Sequence, residues 1–191
     1  IGEAAGDQRL SVRLDPRVEL AAILGRVAGD GSANWPNPPG SAAPDPEGQR
    51  AFILQSHHPA SLRLRSWIHN GFTTEMLVAL LLSRGPLPDL DSKGPPGLDR
   101  AIFSGFDASA SGFTPAAIDS LITETKDFAA AISFDTTWSA IEPSLMSRAR
   151  AIESDPALVT LTARLTDFFG EPTAGRPVIV LFEAVSKVFF R

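Results

Sequence analysis

The chain contains no cysteine. That removes disulfide frameworks and thiolate chemistry together, and it fits an oxidising or a reducing compartment equally well. Lysine is scarce, with Lys93, Lys126 and Lys187 standing alone, and the arginines are scattered along a chain of net charge −5. Nucleic acid is bound by clustered positive charge set against phosphates, so this composition argues against a nucleic-acid partner. No stretch approaches the roughly 20 apolar residues that a bilayer span needs. The longest candidate, Met76 to Leu82, reads as a buried helix segment, and no membrane span is expected. An initiator methionine is missing too. The chain opens at Ile1, which implies that the natural start was removed, by signal-peptide cleavage or otherwise.

Catalytic signatures are also absent. No His-Glu-x-x-His occurs, and no phosphate-cradling glycine pattern precedes a helix. Ser109-Ala110-Ser111-Gly112 lacks the leading glycine of a nucleophile elbow. Asp89-Leu90-Asp91-Ser92-Lys93-Gly94 resembles the opening of a calcium loop. However, the fifth position is Lys93 and the twelfth is Arg100, where oxygen donors are required. Nothing favours a serine triad assembled from distant residues. The three histidines are His57, His58 and His69. Zinc sites on helices place two ligands on one face, three or four residues apart. His57 and His58 are adjacent and point apart, and His69 lies further on. They read as loop or surface histidines and are weak metal candidates.

What is present is a globular composition. Of 191 residues, 43% are hydrophobic and 20% charged, enough for one sizeable core and unlike a disordered tail. The expected class is mainly α with a few β-strands, an α+β chain forming a single and incomplete helical domain over 1–191. Arg9 to Leu14 alternates polar and apolar as a half-buried strand does. Asp15-Pro16 then opens a helix, with Asp as cap and Pro at the first helical position. That helix carries Leu20, Leu24 and Val27 and stops near Gly29-Asp30-Gly31. Residues 29–48 are loop-like, and Ala51 to Gln55 forms a short apolar run. Pro59 opens a helix with Leu62, Leu64 and Trp67, closed by Asn70-Gly71. Thr73 or Thr74 caps a helix with Met76, Leu77, Leu80 and Leu81, apolar nearly all round and therefore expected to be central. Gly85-Pro86 ends it.

Residues 85–113 again read as loop. Thr114-Pro115 starts the clearest helix, with a stripe of Ile118, Leu121, Ile122, Phe128, Ala129 and Ile132. A further helix carries Trp138, Ile141, Leu145, Ala149 and Ile152, which Pro143 should kink or begin. Asp155-Pro156 repeats the cap signal for a helix carrying Leu158, Leu161, Leu165 and Phe168 up to Gly170. The run from Pro177 to Phe182 reads as a buried strand, so strands are expected near 9–14 and 177–183. The last residues, Val188-Phe189-Phe190-Arg191, follow an apolar stretch. Exposed aromatics at a terminus need a cover, so a missing C-terminal segment or a partner chain is expected near Phe189 and Phe190.

Arg17 and Glu19 fall in the first turn of the first helix. A carboxylate there suits the helix dipole, which makes a cap and local ion pair one reading. The other has the pair facing a cleft, where Glu19 would hold a ligand, a partner histidine or a substrate amine.

Leu14-Asp15-Pro16-Arg17-Val18-Glu19-Leu20 resembles the opening signature of a family of secreted bacterial proteins known as a domain of unknown function. In that family a strand is followed by Asp-Pro-Arg-x-Glu-Leu and a helix ending in a Leu-Ala-Gly-like stop, here Val27-Ala28-Gly29. His58-Pro59, Gly71-Phe72-Thr73, Asp127-Phe128, Trp138, and Phe168-Phe169-Gly170 before Val178-Ile179-Val180 resemble later family features in order. The likeness thus runs along nearly the whole chain, though only the first motif is specific. It implies a metallopeptidase-like protein, secreted or periplasmic. The family carries a His-Glu-x-x-His helix downstream of the last strand, and that helix would hold zinc and activate its water. The chain ends before such a helix, so zinc is expected only with the missing segment, and no catalytic residue carries over. The leading expectation is the N-terminal, substrate-side wall of a zinc-metallopeptidase-like protein. The alternative is a non-enzymatic helical binding module.

Overall fold

The computed structural model describes residues 11–29, 54–90, 103, 112–157, 160 and 179–181. Among them the chain is mainly helical, as its periodicity predicts. Strand β1 (Ser11–Arg13) is followed by helices α1 (Pro16–Ala28), α2 (Pro59–His69), α3 (Thr74–Leu82), α4 (Pro115–Ala131) and α5 (Phe134–Glu153), and then by strand β2 (Ile179–Leu181). Strand content among the described residues is limited to these two three-residue segments. They run parallel, with Ser11 opposite Ile179, Val12 opposite Val180 and Arg13 opposite Leu181. The chain divides into two compact units, one of residues 1–15 and 139–184, the other of 16–138 and 185–191. The helix of the Asp155-Pro156 signal lies mostly outside the described residues. Its first turn is visible, where Asp155 Oδ1 accepts the Ala157 N–H at 2.8 Å. Phe189 and Phe190 also lie outside them. No helix among the described residues is long and apolar enough to cross a membrane.

The larger unit is built on α1, which packs against both α2 and α3, while α2 packs against α4. Leu20, Ile23, Leu24 and Val27 recur at three- and four-residue spacings and bury one face of α1 completely or nearly so. On α3 the same spacing buries Leu77, Leu80 and Leu81. The helix is less enclosed than its all-apolar composition suggests, because Ala79 is exposed and Val78 and Leu82 are half-buried. The stripe read from sequence is buried on α4 at Ile118, Leu121, Ile122, Phe128 and Ala129, joined by Thr125, with Ile132 buried just past the helix end. Leu62 departs from expectation and is 47% exposed. It lies two residues from Leu64, and that spacing turns a side chain to the opposite helical face, away from buried Leu64 and Trp67.

Helix ends follow local chemistry. Thr73 Oγ1 accepts the Met76 N–H, and Thr114 Oγ1 accepts the Ala117 N–H. The end of α2 is a Schellman turn: the Phe72 N–H bonds the Trp67 carbonyl, the Gly71 N–H bonds the Ile68 carbonyl, and Gly71 takes φ 90°. The turn throws Phe72 back onto Trp67, ring centroids 5.3 Å apart and edge to face. Phe113 joins Trp67 at 5.0 Å, and Phe103 stacks on Phe72 at 5.6 Å. Two points of the loop-like 85–113 stretch are thereby tied into the core.

Between α4 and α5 the chain turns at Ser133, which takes φ 51°. Pro143 does not begin α5. It sits inside the helix, correcting the expectation that it could mark the start. The hydrogen bond it removes would have gone to the Ser139 carbonyl, and Ser139 and Pro143 are both exposed, so water can take that carbonyl.

Candidate functional site

The signature motif lands at the junction between β1 and α1, and its arginine ties two helices together. Arg17 leaves the first turn of α1 and reaches the far end of α3. Its Nη1 donates to the Arg84 carbonyl at 2.6 Å and to the Leu82 carbonyl at 3.4 Å. The last carbonyls of a helix have no intrahelical donors and carry partial negative charge, so a guanidinium there satisfies both deficits. Glu19 faces inward and is 1% exposed. Burial of a carboxylate to this degree requires compensating interactions within the fold. Arg84, 6% exposed, is the other buried charged side chain among the described residues.

A second arginine repeats the device. Arg65 of α2 donates from Nε to the Ala28 carbonyl at 2.9 Å and from Nη2 to the Val27 carbonyl at 3.5 Å, gripping the end of α1. Its Nη2 also reaches the Ser56 carbonyl at 3.3 Å. Arg63, on the same helix, makes a two-pronged bond to Glu124 of α4, Nε to Oε2 at 2.8 Å and Nη2 to Oε1 at 2.6 Å. These contacts cross from α1 to α3, α2 to α1 and α2 to α4, the same helix pairs that pack together.

The histidines are placed separately. His57 is exposed in the turn before α2. His58 is the N-cap of α2, its Nδ1 accepting the Ala60 N–H at 3.2 Å. Its ring stands edge-on to Phe128 of α4, centroids 5.4 Å apart. Burial pushes its pKa below the ordinary value, with Asp127 and Glu124 pulling the other way. His69 is exposed in the last turn of α2, with Nδ1 2.7 Å from the Arg65 carbonyl. His58 and His69 each have Nδ1 engaged with backbone, which leaves Nε2 of each ring as the remaining donor. No three His, Asp or Glu side chains converge as a metal site among the described residues.

Sequence reasoning singled out Arg17 and Glu19 and left their partners open. It missed the Arg65 brace, the Arg63–Glu124 clasp and the cap made by His58. Only the last carried a local signal, since a residue directly before Pro at the first helical position is the cap by construction. Comparisons with protein-family models, curated proteins and solved structures returned no match to this chain.

Proposed function

We propose that this chain is a non-catalytic helical scaffold, the substrate-side wall of a zinc-metallopeptidase-like protein whose metal-bearing segment lies outside these residues. The scaffold part rests on one observation: Arg17, the cation of the signature, is engaged with the Leu82 and Arg84 carbonyls at the end of α3. A motif whose charged group ties two helices together builds a wall and leaves the chemistry to other groups. The peptidase part rests on the resemblance. A strand precedes the Asp15-Pro16-Arg17 helix, Pro59 opens the next helix after His58, and Gly71-Phe72-Thr73 forms the turn that follows.

A second reading is a helical binding module, for which Leu54, 71% exposed, and Leu62, 47% exposed, are the large apolar side chains offered on the larger unit. The two separate on the natural reading frame and on assay of its product. The scaffold reading expects a downstream His-Glu-x-x-His, with zinc content and peptide hydrolysis only when that segment is present. A natural frame without it leaves the binding module. Turnover by the present chain alone would falsify both.

A further inference from the structure

We infer that His58 makes the first turn of α2 an acid-sensitive latch: the neutral imidazole caps the helix and rests on α4, and protonation releases the turn. Nδ1 accepts the Ala60 N–H, so that nitrogen carries no proton while the cap is made. Serine, threonine or asparagine caps keep their acceptor at any physiological pH. An imidazole loses its own on charging, because both ring nitrogens become donors. The new cation would then sit at the positive end of a helix dipole, with its ring against Phe128.

The charged groups facing His58 decide whether protonation is resisted. From α4 come Asp127 and Glu124, and both favour the imidazolium. Glu124 is already bonded by both oxygens to Arg63 of α2, so its charge is largely answered. Asp127 is exposed and screened by water. His57, next in the chain, is exposed. Desolvation is the largest effect on His58, and its pKa falls below the ordinary value.

The direction of the pH effect follows. The fold prefers neutral His58, so its contribution is complete above the ordinary imidazole pKa of about 6.5. It is lost as pH falls from there through the lower folded value. Release stays local, because Arg65 still holds α1 and Arg63 still holds Glu124.

The test is an NMR titration of the intact chain from about pH 8 to about pH 5, following the His58 ring and the Ala60 amide, with thermal unfolding of wild type and His58→Asn at both ends. Asparagine caps helices and does not titrate in this range. The Ala60 amide should move with the His58 ring at a midpoint under about 6.5. On acidification the wild type should lose about 2–4 °C more in Tm than His58→Asn, the shift a single cap produces in a chain of this size. An Ala60 amide indifferent to His58 ionisation, or a His58→Asn variant keeping the full wild-type pH dependence, overturns the proposal. If His58→Asn does not fold, the wild-type titration decides alone.

Discussion

Arg17 occupies a position where a charged side chain has two plausible uses, and the sequence could not choose between them. Its place in the first turn of α1 followed from Asp15-Pro16 alone, but its partners sit 65 and 67 positions away, beyond any local pattern. The same limit applies to Arg65 and to the Arg63–Glu124 clasp, both made across long stretches of chain. The guanidinium holds carbonyls at a partly buried helix end, so Arg17→Ala should lower stability by about 1–3 kcal/mol in chemical denaturation. Arg17→Lys should recover only part of that, because a point ammonium replaces a fork. Arg17→Ala stability equal to wild type would return the residue to the cleft reading. The Arg63–Glu124 pair, with side chains 33% and 19% exposed, contributes at most about 1 kcal/mol despite its two-pronged geometry.

At the scale of elements, the helices were the most legible feature. The starts at Pro16, Pro59 and Pro115 and the caps Thr73 and Thr114 rest on short-range chemistry that a sequence displays openly. The break between α4 and α5 was not marked, since Ser133 takes a left-handed conformation without the glycine that usually signals it. Close approach of helices was hidden too. Gly25 lies where α1 meets the start of α3, and a Cβ there would stand 2.5 Å from Thr74 Oγ1 and 3.0 Å from its Cγ2. Gly25→Ala should therefore destabilise by about 1–2 kcal/mol, overpacking outweighing its better helix propensity. In a Thr74→Ala background the same change should be neutral or stabilising, a coupling that a double-mutant cycle reads directly. Pro143 gives the opposite sign. It is exposed inside α5, so Pro143→Ala restores a hydrogen bond without filling any core space. Stability and helical circular dichroism should both rise, the former by about 1–3 kcal/mol.

For the whole molecule, composition was a good guide to class and a poor one to chemistry. The 43% hydrophobic content and the three-and-four spacing of apolar residues pointed to a mainly helical chain, and the helices follow. A candidate site was harder to read, because a site is a convergence of side chains from distant elements and the sequence gives only their identities. Where the structure supplies that convergence among the described residues, it makes helix braces: Arg17 on α3, Arg65 on α1, His58 on its own helix. On the proposed reading, this chain is the supporting surface of a larger functional unit and the reactive donors lie elsewhere.

Calorimetric titration of the purified chain with zinc at neutral pH tests that assignment most directly. The account predicts no stoichiometric, histidine-dependent binding, because among the described residues no three His, Asp or Glu side chains converge as a metal site. Tight stoichiometric zinc binding that disappears in His57→Ala or His69→Ala would contradict it.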